Sequence, residues 1–286
     1  MKRFPRMFAR LSRSWSLIKA SAGVLAQDEE LLVFPLLSAI CTLLVVAAFV
    51  LPALGLGVLD GVRGGGASLA MYVLGFLFYL VQYFVIFFFN SALVGAALIR
   101  LDGGNPTLGD GLRIAGSKWV SILGYAAVAA TVGLILRSLQ ERAGWLGRIA
   151  VGFLGVAWTV ASFLVVPVLV SRNVGPIDAI KESALLLKKT WGENLIGQGG
   201  VGLVFSLIFV AMATLGALAI VGAAMSGSGV VIGLVAALVV IAFLLAALIH
   251  AALSGIYSAA LYRYAVGQET STGFDGQLLQ RAFAVK

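Results

Sequence analysis

The chain has 286 residues, of which 61% are hydrophobic and only 11% are charged, with a formal net charge of +8. Soluble domains carry about 25% charged residues, so a water-soluble fold of this length could not cover its surface with so few charges. The composition therefore excludes a soluble enzyme and predicts an integral membrane protein.

Five long stretches contain no Asp, Glu, Lys or Arg, and the last of them is long enough for two membrane spans. A spanning helix needs roughly 20 apolar residues, and the turn between the last two spans is predicted at Ser226-Gly227-Ser228-Gly229 because glycine and small polar residues break the run. Continuous apolar runs favour helices over barrel strands, which alternate. The sequence predicts one all-α, polytopic membrane domain over 1–286, with an N-terminal interfacial helix in 1–30, a cytoplasmic tail in 263–286 and six transmembrane helices at about 31–53, 69–92, 119–137, 149–171, 195–224 and 230–262.

The distribution of basic residues predicts the orientation of these spans. With both termini in the cytoplasm, sixteen of the twenty Lys and Arg residues fall on the inner side, as the positive-inside rule requires. We therefore expect a multi-pass protein of the cell (inner, cytoplasmic) membrane. Its positive face is expected to contact anionic lipid headgroups. Nucleic acid is not an expected partner, because no domain presents a groove-reading element, and the sequence identifies no protein partner.

Three inner segments share one pattern, in which an amphipathic stretch opens with proline and ends in Trp15, Trp119 or Trp191. Apolar residues recur at spacings of three and four, which is typical of one helical stripe. Basic amphipathic helices with an aromatic anchor tend to lie in the membrane interface, and the alternative is that the stripes pack against the spans. The three stripes contain Phe4, Phe8 and Leu11; Leu108, Leu112 and Ala115; and Ile177, Ile180, Ala184 and Leu187.

The exits from the spans repeat as well. The second, fourth and sixth spans end at Arg100, Arg172 and Arg263, and each arginine is followed by glycine three or four residues later. The predicted unit is an interfacial helix followed by a two-span hairpin, used three times. Internal duplication is one explanation. The other is that any inner loop between apolar helices needs a basic entry edged by tryptophan.

Motifs for chemistry are sparse in this chain. A literal G-x-G-x-x-G occurs at 197–202, but it follows a predicted helix and lacks an acidic residue about 20 positions later, so close helix packing explains it better than a dinucleotide site. With one cysteine, Cys41, and one histidine, His250, a single chain cannot form a disulfide or a Cys/His metal site. We expect no cofactor, no metal and no catalytic residue.

The polar residues inside the predicted spans are the remaining candidates for a site, since such residues are costly in lipid. His250, Ser254 and Tyr257 fall on one side of the sixth span, and Gln82 and Asn90 lie in the second. His250 is expected either to be satisfied by a neighbouring hydroxyl or carbonyl, or to act as a protonation switch or ligand contact. Pro167 is expected to kink the fourth span.

Several segments together resemble an uncharacterised family of bacterial polytopic membrane proteins with a domain of unknown function. The resemblance rests on Ser14–Lys19, on the entry Phe34-Pro35-Leu36-Leu37, and on Lys188-Lys189-Thr190-Trp191-Gly192-Glu193, and it extends along nearly the whole chain. It implies a six-span membrane fold and carries no catalytic or binding residue. The layout of basic start, Phe-Pro-Leu-Leu entry and helical hairpins is also similar to bacterial sulfate-permease-like proteins.

These observations predict a non-enzymatic membrane protein that organises lipids or binds a partner. The alternative is a small-solute or anion permease, which the polytopic layout and the inner positive charge would suit. An intramembrane enzyme would need a positioned acid–base or nucleophile pair, and one histidine beside serines does not supply it. A cavity beside His250 and Ser254 would favour the permease or the enzyme, and solid packing would favour the first function.

Overall fold

The computed structural model describes residues 18–55, 69–191 and 199–267, with side chains described except in 69–70, 189–191 and 199–203. The predicted anchor Trp15, the side chain of Trp191, the glycine-rich motif at 197–202 and most of the predicted tail lie outside the described residues or side chains.

Every regular element in the described ranges is helical, and none of those residues forms a strand, so the predicted all-α fold is confirmed. A short 3₁₀ turn, Glu29–Leu32, joins the first two helices. In chain order the helices are α1 (18–27), α2 (Val33–Gly55), α3 (Leu69–Leu101), α4 (Leu108–Ser117), α5 (Trp119–Arg142), α6 (Trp145–Ser162), α7 (Val165–Ser171), α8 (Pro176–Trp191), α9 (Gly199–Ala224) and α10 (Gly229–Ala265).

Six helical stretches within the described residues are long and apolar enough to cross a membrane, which confirms a polytopic membrane protein. Each predicted span overlaps one of them, although α3 continues beyond residue 92, α5 beyond residue 137 and α10 beyond residue 262. The six stretches are Glu29–Gly55, Met71–Leu101, Trp119–Arg142, Trp145–Ser171, Val204–Ala224 and Gly229–Ala265.

The fourth span is broken, as the proline in it predicts. The span consists of α6 and α7, and Phe163 and Leu164 form a turn between them. Pro167 has no N–H, and its ring clashes with the carbonyl four residues earlier, which belongs to Phe163. At the break, the N–H of Leu164 donates to the hydroxyl oxygen of Ser183 in α8 at 3.0 Å. A neighbouring helix thus satisfies a backbone donor that lies in the turn between α6 and α7.

The densest packing lies toward one end of the bundle, called the charged end and defined by Asp28, Arg100, Asp102, Arg172 and Arg263. Three continuous buried segments meet beside it, at 91–97, 164–169 and 255–263. Small residues allow this close approach. A Cβ added to Gly255 would lie 2.4 Å from the Leu93 side chain.

Two short helices, α4 and α8, lie across the charged end and pack against the spans. In α4 the predicted stripe is correct: Ala115 is buried, and Leu108 and Leu112 pack against the core. In α8 the predicted stripe is only partly covered by the protein, because Ile177 is half exposed. The buried face there consists of Ala179, Ser183 and Leu187, because small residues let α8 approach α7.

The two helices, α4 and α8, contact their spans at corresponding positions of the chain. A Cβ on Gly111 of α4 would lie 2.7 Å from the carbonyl oxygen of Ala92 in α3, whereas Ser183 of α8 contacts Leu164 at the start of α7. The same number of residues separates Ala92 from Leu164 and Gly111 from Ser183. Two of the three predicted units therefore share a packing arrangement as well as a sequence pattern.

The last two spans form a hairpin whose turn matches the predicted Ser/Gly segment. Gly227 adopts a positive φ of 68°, a conformation that glycine adopts without steric cost. Within the hairpin, a Cβ on Gly216 would lie 2.8 Å from the Val239 side chain, and the rings of Phe209 and Phe243 are stacked at 6.1 Å. The hairpin helices thus pack mainly on each other in their outer halves.

Candidate functional site

The three arginines that end the even-numbered spans each bind an acid from another segment. Arg100 donates from Nε and Nη2 to Oδ2 of Asp28, at 3.2 and 3.0 Å. Arg172 binds Glu182 of α8 at 2.8 Å, and Arg263 binds Asp102 in the loop after α3. Charges at these helix ends are therefore paired across the bundle, as expected of ionisable groups in a largely apolar protein.

The pair between Asp28 and Arg100 fixes the entry of the first span against the exit of the second. Both side chains are largely buried, and Arg100 also donates to the side-chain oxygen of Asn105 at 2.7 Å. Next to it, the carboxylate of Glu30 accepts a hydrogen bond from the N–H of Leu108 at the start of α4, at 3.2 Å. The acidic residues before the first apolar run thus hold α2, α3 and α4 together.

The loop between α3 and α4 is shaped by glycine and closed by a helix cap. Gly103 has a φ of 84°. Thr107 caps α4: its hydroxyl accepts from the N–H of Asp110, and its own N–H donates to the Asp110 carboxylate at 3.0 Å. The hydrogen bonds from the Thr107 side chain and backbone lower the pKa of Asp110. This capping box ends the loop that carries Asp102.

A cavity of about 460 Å³ opens at the charged end between the ends of α3, α4, α7 and α10. It is called the basic cavity. Its polar wall carries two of the exit arginines and the partner of one of them, and its other wall is apolar. The lining residues are Gly95, Leu98, Ile99, Asp102, Ile114, Val170, Ser171, Arg172, Tyr262, Arg263 and Val266.

The two arginines of the basic cavity differ in their exposure. The side chain of Arg172 is 48% exposed, whereas that of Arg263 is 9% exposed. A hydrogen bond with Tyr262 raises the pKa of Arg172, which therefore stays cationic at any physiological pH. Lys118 donates to the carbonyl oxygen of Arg172 at 3.2 Å. The lining itself contains two cations, Arg172 and Arg263, and one carboxylate, that of Asp102, while Lys118 and Glu182 lie outside it, so the lining carries a net positive charge.

A second cavity, the lateral groove, runs between α3, α5 and α6 and has a volume of about 860 Å³. Its aromatic wall includes Phe87 and Tyr125, whose rings stack at 4.4 Å, and at its far end Arg137 donates to the hydroxyl of Tyr79 at 2.9 Å. This groove was not predicted from the sequence. The signal was the run Tyr79, Tyr83 and Phe87, which places aromatic rings on one helical face.

Comparison with known proteins gives the chain a family. The model of a family of unknown function, DUF6159, matches residues 69–274. The chain belongs to this family. No curated protein and no solved structure matches it. The region that DUF6159 covers includes Arg100, Arg172 and Arg263 and the linings of both cavities, whereas Asp28 and α2 lie before it.

The predicted polar residues of the spans do not gather into one site within the described part of this DUF6159 protein. His250 packs against the rings of Phe205 and Phe209, at 4.5 and 6.1 Å. Tyr257 is buried and lies 6.1 Å from the ring of Phe163, so His250 and Tyr257 face different neighbours rather than one polar stripe. Ser254 is partly buried.

The two polar residues of the second span lie in different surroundings. The side-chain oxygen of Asn90 lies beside Gly255, at the close contact between α3 and α10. The amide oxygen of Gln82 is buried and has no hydrogen-bond partner among the described residues. Neither cavity is lined by Gln82, Asn90, His250, Ser254 or Tyr257.

Trp119 is the predicted anchor whose side chain is described. It lies at the start of α5, beside the charged end, and is half exposed. Within residues 18–55, 69–191 and 199–267, no three His, Cys, Asp or Glu side chains are grouped so that they could hold a metal ion. The chemistry that the described residues offer is anion recognition by guanidinium groups.

Proposed function

We propose that this DUF6159 protein is a non-enzymatic protein of the cell membrane that organises lipids or binds a partner at its charged end. Both termini and the charged end face the cytoplasm in this proposal. One observation carries it. Arg172 and Arg263 line a positive cavity at one end of the spans, whereas the predicted polar candidates within the spans, Gln82, Asn90, His250, Ser254 and Tyr257, line neither cavity.

The orientation can be tested by thiol labelling in intact cells. Lys188 is exposed on α8, and Gln140 is exposed at the opposite end of α5. In a Cys41→Ala background, Lys188→Cys is expected to resist a membrane-impermeant maleimide until the cells are opened. Gln140→Cys is the matched control and is expected to react in intact cells. Labelling of Lys188→Cys from outside would reverse the orientation and remove the cytoplasmic assignment.

The non-transport function can be tested by reconstitution into liposomes. Phosphate, sulfate, chloride and glycerol are expected to cross no faster than through protein-free liposomes, because His250 and Ser254 line neither of the two cavities. The same vesicles should show that the protein is inserted, by protease protection of its loops. Flux of any one solute above the protein-free rate would contradict the proposal.

The alternative function is a small-solute or anion permease. The observation in its favour is the basic cavity, because Arg172 and Arg263 line it at one end of the bundle. Positive side chains at that position could attract an anion. A permease would show anion flux that falls when Arg172 is replaced by glutamine. Flux that is unaffected by Arg172→Gln would point to another route through the bundle.

A further inference from the structure

We propose that the basic cavity binds the phosphate group of an anionic phospholipid, with the first carbons of an acyl chain along its apolar wall. The inference rests on the proposed function, because it names the ligand that the charged end would organise. It concerns one defined site rather than the general attraction of a positive face for lipid.

The shape and lining of the cavity are amphipathic. Its volume of about 460 Å³ falls in the range of small-molecule sites, about 300–1,000 Å³. Leu98, Ile99 and Ile114 form an apolar wall, and Arg172, Tyr262 and Arg263 form a polar one. A free inorganic anion would use only the second wall. A phospholipid at the boundary of the membrane would use both.

Arg172 is the group best placed to contact the ligand. Its guanidinium binds Glu182 and Tyr262, yet about half of the side chain is exposed and it lines the cavity. A guanidinium has five N–H donors in a planar fork, so one carboxylate and one hydroxyl leave room for an oxyanion. This geometry suits a phosphate with two oxygens facing the arginine.

Arg263 supplies a fixed charge at the back of the cavity. Its side chain is nine-tenths buried, and it is bound to Asp102. A cation held in this way needs little reordering when an anion arrives, which reduces the entropic cost of binding. The structure therefore combines one accessible and one buried guanidinium around the same space.

Asp102 is the element that opposes an anion. Its carboxylate lines the cavity but is mostly exposed, and it sits on the loop that turns at Gly103. Like charges repel, so an incoming phosphate must overcome this carboxylate or displace it. Neutralising Asp102 should therefore strengthen binding, whereas removing the guanidinium of Arg172 should weaken it.

The test compares variants of the full-length protein by native mass spectrometry, with phosphatidylglycerol, phosphatidylcholine and inorganic phosphate as separate probes. The double variant Arg172→Gln/Glu182→Gln removes the guanidinium without changing the net charge. Asp178→Asn/Lys181→Gln is the matched control. It removes an exposed ion pair from the same helix, α8, at a distance from the cavity lining. Asp102→Asn is the third variant.

Phosphatidylglycerol binding is expected to fall about tenfold in Arg172→Gln/Glu182→Gln, the loss that corresponds to one charge-assisted hydrogen bond. It should stay within twofold of the parent protein in Asp178→Asn/Lys181→Gln and rise several-fold in Asp102→Asn. Phosphatidylcholine should bind more weakly than phosphatidylglycerol, because its headgroup has no net charge. Arg172→Lys, which keeps the charge but loses the fork, should fall in between.

Two outcomes would overturn the inference. Equal phosphatidylglycerol binding by the Arg172→Gln/Glu182→Gln and Asp178→Asn/Lys181→Gln variants, both with unchanged thermal unfolding, would show that the cavity is not the site. Displacement of the lipid by millimolar inorganic phosphate would assign the cavity to a soluble anion instead. If Arg172→Gln/Glu182→Gln unfolds, Arg172→Lys and Asp102→Asn decide, because they must shift binding in opposite directions. Liposome flux would contradict the proposed function and leave these binding results in place.

Discussion

The two halves of α10 have similar apolar sequences and very different surroundings. Leu238, in the half beside the hairpin turn, is 66% exposed, whereas Leu261, near the charged end, is fully buried. The first half packs mainly against α9, while the second packs against α3, α7 and α8. Because lipid solvates leucine as well as protein does, hydropathy does not distinguish the two halves.

Two features distinguish the charged end from the outer hairpin, namely close packing at glycine and ion pairs. At the charged end, Gly111 and Gly255 let helices approach closely, and ion pairs join segments that are distant in sequence. In the outer hairpin, Gly216 lies close to Val239, but Gly222 and Gly233 have no neighbouring atoms within 4 Å of where a Cβ would be. Stability should therefore depend on the charged end far more than on the hairpin, and four substitutions test this difference.

The largest effect is expected for Asp28→Asn. It leaves the buried guanidinium of Arg100 without its carboxylate, and breaking a buried ion pair by removing one partner costs about 3 kcal/mol. The free energy of unfolding, measured by dodecyl sulfate titration of the protein in mixed micelles, should fall by that amount. A loss under about 0.5 kcal/mol, which is usual for an exposed pair, would mean that this contact does not fix the charged end.

The second effect is expected for Gly111→Ala. The added methyl would lie 2.5 Å from the ring of Phe34 and 2.7 Å from the carbonyl oxygen of Ala92, and overpacking of this kind costs about 2 kcal/mol. The matched control is Gly222→Ala, which meets open space and should cause no loss in the same titration. Equal losses in the free energy of unfolding for Gly111→Ala and Gly222→Ala would show that the charged end is not packed more tightly than the hairpin.

A smaller effect is expected for Ser183→Ala. The buried hydroxyl oxygen accepts the N–H of Leu164 at the break in the fourth span, and leaving a buried donor unsatisfied costs about 1.5 kcal/mol. Thr214→Ala is the control, because the Thr214 hydroxyl only donates to a carbonyl of its own helix at 2.9 Å. Amide hydrogen exchange at 163–168 should increase in Ser183→Ala and remain unchanged in Thr214→Ala.

The smallest effect is expected for Glu141→Gln. This residue pairs with Arg137 one helical turn away, and both side chains are exposed, so the pair contributes little to the free energy of unfolding. The loss should vanish in high salt, because exposed charges are screened, whereas the loss in Asp28→Asn should persist. A salt-independent loss in Glu141→Gln would show that the pair with Arg137 is as well shielded from solvent as the pair between Asp28 and Arg100.

Much of the architecture could be predicted from the sequence because it follows from composition. The six spans, the turn at Ser226–Gly229 and the disruption near Pro167 depend on local chemistry: length of apolar run, breaking residues and a missing N–H. The buried face of α8 was predicted less well. Its helical period was correct, but Ile177 proved half exposed while Ser183 is buried, since close approach to α7 favours a small residue over a larger apolar one.

The candidate site was harder to predict because it joins distant segments. The exit arginines stood out in the sequence, but their partners Asp28, Asp102 and Glu182 did not, since pairing depends on which helix ends meet. His250 attracted attention as the single histidine, yet it packs between phenylalanines. Polarity in an apolar run marks a residue as unusual and does not say what it faces.

The sequence by itself determined that the chain is an all-α membrane protein with six spans, because the length and hydropathy of each apolar run indicate whether it lies in lipid or in water. Only the tertiary structure decided which helix ends meet, where the bundle is tight and where the cavities lie. The physical reason is that contacts within a bilayer depend on the shape of small residues and on the pairing of few charges. Both are properties of two segments together, and neither can be read from one segment alone.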